Sequence, residues 1–311
     1  MTNSNDASVV EQALRIAHAS QGQLLAVVGP TASGKTALAV ALAEALGGEI
    51  ISADSVQIYR GFDVGSGKPT ASELARAPHH LVGALDPLDP IDAAVWGRLA
   101  EAAIAEVRAR GRVPIVCGGT FLWVKALLFG LAAAPAASPE TRERHRAIVE
   151  ADGRPALHAR LREIDAETAE RLHPNDFVRV SRALEVHELS GKPMSEWQRE
   201  HGFARPRHRS RLMAIACDPA VLSERIAARA RAWLAAGWSD EVQALLASGF
   251  GGARAMASVG YAQVRGALAG EIATADLETV VVRATRVFAR RQRTWLNHAD
   301  VTWLGPTGPR P

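Results

Sequence analysis

Apolar and polar residues follow one another along this chain in blocks that indicate an α/β protein. Runs of strand length occur at Leu24 to Val28, Glu49 to Ser52 and Val113 to Cys117, and a fourth, Leu212 to Cys217, comes much later. Longer stretches with apolar positions at helical spacing separate the first three runs. Because strands that alternate with helices pair in parallel, the pattern predicts a parallel sheet flanked by helices.

The helical pattern is clearest in six stretches. In one of them, Val95, Leu99, Ile104 and Val107 mark an apolar face, and Gly111 follows as a stop signal. The predicted helices are Val9 to His18, Ala37 to Leu46, Ala93 to Arg110, Phe121 to Leu131, Phe177 to Leu189 and Asp276 to Trp295.

The character of the sequence changes after an Ala/Pro-rich stretch at 132–139. Residues 140–211 contain 15 Lys and Arg and 13 Asp and Glu, with no strand pattern before residue 212. A charged helical segment bounded by linkers is typical of an inserted domain. We therefore predict a P-loop NTPase-like α/β core, a smaller all-helical insertion domain and an N-terminal extension, with bounds 22–137 and 206–311 for the core, 138–205 for the insertion and 1–21 for the extension.

The loop between the first strand and the first long helix of the core matches the phosphate-binding pattern G-x-x-x-x-G-K-[ST]. Backbone N–H groups and the helix N-terminus would bind a diphosphate or triphosphate, the lysine would reach a terminal phosphate, and the last threonine would bind Mg²⁺. A Gly-rich turn without a ligand is the alternative, but the chain has only four lysines, which makes a chance match improbable. The residues concerned are Gly29, Pro30, Thr31, Ala32, Ser33, Gly34, Lys35 and Thr36.

Two further polar residues follow predicted strands. Ligands meet the carboxyl ends of parallel strands, so Asp54 and Thr120 should lie beside the phosphate-binding loop. Asp54 could instead cap the next turn, which is a common use of aspartate. The strand before Thr120 ends in Gly118 and Gly119, where a P-loop ATPase would have the aspartate that organises magnesium. We interpret these glycines as allowing the close approach of a ligand.

Composition narrows the class of protein. The chain is 48% hydrophobic and 22% charged, as in soluble globular proteins. Its only cysteines, Cys117 and Cys217, form neither a disulfide framework nor a zinc site and favour a reducing compartment. We find no secretory signal at the N-terminus, and the longest apolar stretch, Ala126 to Ala137, is too short to span a bilayer. The sequence therefore predicts a cytoplasmic protein that does not bind a membrane.

Arginine supplies 32 of the 36 basic residues, and the net charge is +3. This abundance fits either a codon bias or phosphate recognition, so the positions of the arginines matter more than their number. In the last long helix, Arg283, Arg286, Arg290 and Arg293 are spaced by three, four and three residues. They form a stripe without interleaved acids, which favours contact with a polyanion over a merely solvated helix face.

Several motifs together resemble the bacterial tRNA dimethylallyltransferases, also called tRNA isopentenyltransferases. The P-loop is shared by many families, whereas DSVQIYRG, GGT and RQRTW are more specific. The resemblance extends in order over residues 22–304 and is carried by GPTASGKT at 29–36, ADSVQIYRGFDVGSGKP at 53–69, HHLVGALDP at 79–87, GGTFLWVKALLFGL at 118–131, RALEVHELSGKP at 182–193, VGY at 259–261 and RQRTWL at 291–296.

The resemblance implies transfer of a dimethylallyl group from dimethylallyl diphosphate to N6 of adenosine 37 in tRNA. Asp54 would be the general base, Thr120 would orient the amine and the diphosphate, and Lys35 would neutralise the leaving group together with Mg²⁺ on Thr36. The diphosphate would leave without any water being activated. This agrees with the absence of an aspartate at the end of the strand that precedes Thr120.

The resemblance and the arginine stripe also predict the surface that contacts the anticodon stem-loop of tRNA. One departure is Ala257-Ser258, where relatives often have a longer polar side chain. The alternatives are a P-loop small-molecule kinase and an RNA-binding NTPase, and we expect a monomer. The predicted tRNA contacts are Asp54, Ser55, Val56, Gln57, Thr120, Arg142, Val178, Arg179, Val180, Ser181, Arg182, Arg283, Arg286 and Arg290.

Overall fold

A computed structural model describes residues 4–305 and contains a six-stranded parallel sheet. The strand order is β3-β2-β4-β1-β5-β6, and every pairing is parallel. The predicted α/β class with a parallel sheet is thereby confirmed. The strands are β1 Leu24–Val28, β2 Gly48–Ala53, β3 His79–His80, β4 Val113–Gly118, β5 Ser210–Ile215 and β6 Val301–Leu304.

Helices surround this sheet and build the inserted segment. None of the helices in the described range 4–305 is long and apolar enough to cross a membrane. The α-helices are α1 Ser4–Ala19, α2 Lys35–Leu46, α3 Ala71–Arg76, α4 Ala93–Ala109, α5 Phe121–Phe129, α6 Pro139–Asp152, α7 Arg154–Ile164, α8 Ala166–Arg171, α9 Phe177–Ser190, α10 Met194–His201, α11 Pro219–Ala235, α12 Trp238–Ala247, α13 Tyr261–Leu268 and α14 Leu277–Leu296. Short 3-10 turns lie at Phe250–Gly252, Arg254–Ala257 and Thr274–Asp276.

The chain divides into two compact units. The helical unit comprises Phe129–Pro206, and the α/β unit contains the residues before and after it. The helical unit has a core of its own, in which Leu157, Leu161, Val180 and Leu184 are buried. Residues 129–137, which the linker composition assigned to the α/β core, lie in the helical unit.

The central strands β1, β2 and β4 are largely buried, and their carboxyl ends lie at the same edge of the sheet. All five residues of β1 and all six of β2 are buried, as expected for strands covered on both faces. The register pairs Val28 of β1 and Ala53 of β2 with the same residue of β4, Gly118. Because these three strands end side by side, the segments that follow them begin at one edge of the sheet.

Two strands were not predicted from the sequence. β3 has only two residues and β6 only four, which is too short for a periodic pattern to be recognised. β5 also begins and ends two residues earlier than predicted, because its residue Ser210 pairs with Leu24 at the start of β1. The helix predicted to reach Leu131 ends at Phe129.

Candidate active site

The phosphate-binding loop contains two residues with left-handed backbone, one a glycine, which adopts it freely, and one an alanine, for which it is strained. Gly34 precedes α2 at φ +91°, and Ala32 has φ +64°. A Cβ atom on Gly29 would lie 2.7 Å from Ser33 Oγ, so a side chain at this position would push into the loop. The loop therefore leads directly from β1 into the N-terminus of α2, the geometry that favours anion binding.

A buried glutamine from α14 connects this loop to the end of β4. The Thr31 N–H donates to Gln292 Oε1 at 2.9 Å, and Gln292 Nε2 donates to the carbonyl of Gly119 at 2.9 Å. Only 6% of Gln292 is exposed. Through Gln292, helix α14 thus fixes the position of the phosphate-binding loop relative to the segment that follows β4.

The glycine pair after β4 makes room for protein atoms. A Cβ on Gly118 would lie 2.2 Å from the carbonyl oxygen of Ala53, and one on Gly119 would lie 2.4 Å from Gln292 Nε2. Gly119 and Gly118 also line cavities, so our interpretation that they admit a ligand to the backbone stays a prediction. They allow β2, β4 and α14 to approach each other closely.

Lys35 lies in a desolvated position at the start of α2. Burial lowers its pKa, while the nearby Cys117 and Asp54 oppose that shift. Its Nζ donates to the Pro30 carbonyl at 3.3 Å. Lys35, Thr36 and Asp54 also line a small cavity of about 20 Å³. The residues predicted to bind the diphosphate and Mg²⁺, Lys35 and Thr36, are thus neighbours of the predicted general base Asp54.

Asp54 and Thr120 are held by the backbone that follows β2. Asp54 Oδ1 accepts hydrogen bonds from the N–H groups of Val56 at 2.9 Å and Gln57 at 3.2 Å. Thr120 Oγ1 accepts from the Ser55 N–H at 3.1 Å. Asp54 therefore does cap the turn, but its described hydrogen bonds go to Oδ1 alone, which leaves Oδ2 for a ligand.

A cavity of about 350 Å³ brings these groups together within the α/β unit. Its polar lining residues include Asp54, Thr120 and Thr31. Its apolar lining residues include Ile226, Ala230, Trp233, Val281 and Phe288. A pocket with an apolar wall and a few convergent polar groups is typical of a small-molecule site.

Arg229 belongs to this cavity and was not singled out from the sequence. Its guanidinium donates to Thr31 Oγ1 and stacks over the Trp233 ring, with 4.5 Å from Cζ to the ring centroid. Burial lowers the pKa of Arg229 to about 10, while the charge of Asp54 opposes that shift. Since this value is above neutral pH, Arg229 remains a cation that faces the phosphate-binding loop.

The Gly-rich loop at residues 60–69 is held by the carboxylate of Glu241, which was not predicted as a site residue from the sequence. Glu241 accepts from the N–H groups of Asp63 at 2.9 Å and Val64 at 2.6 Å, and from the Tyr261 hydroxyl at 2.6 Å. Gln57 Nε2 donates to the Gly67 carbonyl at 2.9 Å from the other side. These contacts fix the loop next to the cavity.

The predicted RNA contacts of the helical unit fall into two groups. Val178 and the Arg179 side chain are each 74% exposed. Val180 and Ser181, in contrast, are buried, and Ser181 Oγ hydrogen-bonds to His145 at 2.9 Å. We therefore correct the prediction for Val180 and Ser181, because side chains in the interior cannot touch RNA directly.

Arg142 and Arg182 have structural partners within the helical unit. Both pair with the fully buried Glu185, Arg142 at 3.2 Å and Arg182 at 2.6 Å. Together with the Ser138 N–H, they hold the pKa of Glu185 below its usual value against the opposing effect of burial. These arginines stabilise a buried carboxylate, and their contact with RNA stays a prediction.

Three arginines of the α14 stripe lie on the surface. Arg283, Arg286 and Arg290 are exposed, whereas Arg293 is half-buried. The one acidic residue of α14, Glu278, pairs with Arg231 of α11 at 3.3 Å. No ion pair involving Arg283, Arg286 or Arg290 is found among residues 4–305, so the exposed part of the stripe keeps the charge on which the prediction of polyanion binding rests.

Comparison with known proteins identifies the family. The model of IPP transferase matches residues 57–299, and that of isopentenyl transferase matches residues 22–80. A tRNA dimethylallyltransferase of Sorangium cellulosum is 61% identical over 289 residues, which cover 93% of this chain and 92% of the relative. One from Anaeromyxobacter dehalogenans is 51% identical over 91% of this chain and 95% of its own length.

A solved structure agrees with these sequence matches. The full-length tRNA isopentenylpyrophosphate transferase of Bacillus halodurans superposes with a TM-score of 0.67 at 34% identity, over 91% of this chain and 90% of that one. The chain therefore belongs to the IPP transferase family, as the set of motifs spread over residues 22–304 predicted.

Proposed function

We propose that this chain transfers a dimethylallyl group from dimethylallyl diphosphate to N6 of adenosine 37, next to the tRNA anticodon. The observation that carries the proposal is the single cavity whose lining includes Asp54, Thr120, Thr31 of the phosphate-binding loop and the half-buried Arg229. The names of the relatives, tRNA dimethylallyltransferases at up to 61% identity, support the same reaction.

The diphosphate would bind at the loop and leave from it. As the C–O bond to the dimethylallyl group breaks, negative charge grows on the departing diphosphate. Lys35, Arg229 and the N-terminus of α2 surround this position with positive charge. Preorganised charges that act where new charge develops supply a large share of catalysis.

The residues at the loop also fit Mg²⁺. The Thr36 side chain and the Asp54 carboxylate line the same small cavity, and Mg²⁺ is usually held by one or two protein oxygens together with substrate phosphates. When bound, the ion would neutralise charge on the diphosphate. Thr36 would hold it, and Asp54 would remain within reach of the acceptor amine.

The acceptor is an exocyclic amine whose lone pair is conjugated with the purine ring, so it is a weak nucleophile. Asp54 would remove a proton from N6 through Oδ2 while the new N–C bond forms. Thr120, fixed by the Ser55 N–H, would orient the amine towards the carbon that is transferred. The adenine must leave the stacked loop to reach this cavity, as bases do in other base-modifying enzymes.

The apolar lining residues of the cavity suit the hydrocarbon group. Ile226 and Ala230 are buried there beside Trp233, so a five-carbon chain would displace little polar surface. An apolar wall also keeps water away from the reacting carbon. We propose that the enzyme acts as a monomer in the cytoplasm, where its tRNA substrate is found and where thiols such as Cys117 stay reduced.

The test incubates the purified protein with unmodified tRNA, Mg²⁺ and radiolabelled dimethylallyl diphosphate. We expect label in the RNA, and we expect none in a matched tRNA with guanosine at position 37. Absence of label together with ATP turnover would contradict the proposal and favour an RNA-binding NTPase. Labelling of the guanosine control would contradict the choice of N6.

The arginine stripe gives a second prediction. Replacing Arg283, Arg286 and Arg290 together by Gln should weaken tRNA binding and flatten its salt dependence, because each lost phosphate contact reduces the slope of log K against log salt by about 0.7 to 0.9. Filter binding between low and moderate salt measures both. The matched control replaces Arg205, Arg207 and Arg209, and an equal change in both triple variants would show that only overall charge matters.

A further inference from the structure

One aromatic side chain at the cavity is unusually exposed. Phe288 of α14 is 39% exposed, and it is the only Phe, Tyr or Trp among the exposed large hydrophobic side chains of residues 4–305. The next aromatic residue of the same helix, Trp295, stacks on Phe121 with 4.4 Å between ring centroids. A single exposed ring is common on protein surfaces, but this ring also lines the cavity that contains Asp54 and Thr120, which gives its exposure a functional context.

The surroundings of Phe288 indicate the chemistry of what binds. Arg291 lines the same cavity and is exposed, and Arg286 and Arg290 of the stripe lie on the same helix. Val259 also lines the cavity and is 37% exposed. An accessible aromatic face one helical turn from an exposed cation, Arg291, is a combination that binds unstacked bases of a nucleic acid strand.

We infer that Phe288 is a stacking platform for a nucleobase that flanks the reacting adenosine in the anticodon loop. The inference rests on the proposed function and deepens it by naming a residue for RNA recognition. The dimethylallyl group is a poorer occupant, because the buried Ile226 and Ala230 offer it a drier wall of the same cavity. A base at the mouth would cover the Phe288 ring while the reacting adenine lies deeper, at Asp54.

The test uses an unmodified anticodon stem-loop RNA with 2-aminopurine on either side of the reacting adenosine. Stacking on the ring should quench the fluorescence of one of these labels in the wild-type complex. Phe288→Leu keeps the apolar volume but removes the aromatic face, and it should raise the Kd for this RNA about tenfold, within the range of one base–aromatic stack. Phe288→Tyr should retain both the affinity and the quenching.

The matched control is Val287→Ala. Val287 is the neighbouring residue of α14 and is 40% exposed, but it is not part of the cavity lining. Its replacement should leave the Kd and the quenching unchanged. In steady-state transfer assays, Phe288→Leu should raise the KM for tRNA and leave the KM for dimethylallyl diphosphate at the wild-type value.

Several results would overturn the inference. A raised KM for dimethylallyl diphosphate in Phe288→Leu would make the ring a contact of the hydrocarbon group. Equal losses in the Leu and Tyr variants, or in Val287→Ala, would leave no role for the aromatic face. RNA binding without quenching of either label would also contradict it. RNA binding is measured without dimethylallyl diphosphate, so the two proposals can fail separately. Absence of transfer would contradict the proposed function, whereas quenching of a label would still support stacking on Phe288.

Discussion

Replacing Asp54 by Asn should lower kcat for dimethylallyl transfer by about 10²- to 10⁴-fold, the usual contribution of a positioned general base. Asn keeps an oxygen that can accept from the N–H groups of Val56 and Gln57, so the turn after β2 should persist. The amide cannot take up the N6 proton. Affinity for tRNA should therefore stay near the wild-type value, as measured by filter binding.

The chain contains a matched control for this substitution. Asp92 also accepts from two successive backbone N–H groups, those of Ala94 at 2.9 Å and Val95 at 2.8 Å, but it does so at the exposed start of α4. Asp92→Asn should leave kcat unchanged. If Asp54→Asn keeps most of the wild-type kcat, or loses tRNA binding with normal residual chemistry, Asp54 is a capping and positioning residue only.

The parts of the fold that could be predicted are those with a strong local signal. β1, β2 and β4 are buried on both faces, so their apolar runs between turn residues marked them to within one or two residues. β3 consists of His79 and His80, which join the sheet only because β2 offers a free edge. Such tertiary pairing leaves no periodic pattern in two residues.

The residues of the candidate site likewise fall into those that a local sequence signal predicted and those that it did not. Asp54 and Thr120 could be placed beside the phosphate-binding loop because the ends of parallel strands meet at one edge. Arg229, Glu241 and Gln292 could not, because they reach the site from helices far along the chain, and Gln292 is 261 residues from its partner Thr31. Nothing in the local sequence distinguishes Arg229 from the other arginines among the 32 of the chain as the one that lines the cavity. The spacing of Arg229 and Trp233, one helical turn apart, is the signal that could have suggested a stacked cation.

The predicted RNA contacts at 178–182 were assigned as one contiguous segment, but the structure separates its side chains. The segment 178–182 lies on α9, and a helix turns its successive residues to different faces. Val178 and Arg179 therefore face solvent, while Val180 and Ser181 face the core of the helical unit. A contiguous motif predicts which helix is concerned, but only burial shows which of its side chains can bind. The catalytic roles of Asp54, Thr120 and Lys35 stay predictions.

Replacing Arg229 by Gln should weaken the hold on the diphosphate and slow its departure. This half-buried cation donates to Thr31 of the loop, and losing one preorganised donor to a developing anion costs about 10²- to 10³-fold in kcat. The KM for dimethylallyl diphosphate and the inhibition constant of inorganic pyrophosphate should rise together. The KM for tRNA should change little. Steady-state kinetics with each substrate varied in turn measures these values.

Arg229→Lys separates the charge of this side chain from its shape. Lysine keeps the charge but lacks the planar guanidinium that stacks on Trp233, so it should restore only part of the activity. Arg231→Gln is the matched control, since Arg231 lies two residues further along α11 and pairs at the surface with Glu278 at 3.3 Å. This variant should behave as wild type. If Arg229→Gln left pyrophosphate inhibition unchanged, Arg229 would only support the loop through Thr31. The positive charge that binds the diphosphate would then come from Lys35 and the helix N-terminus.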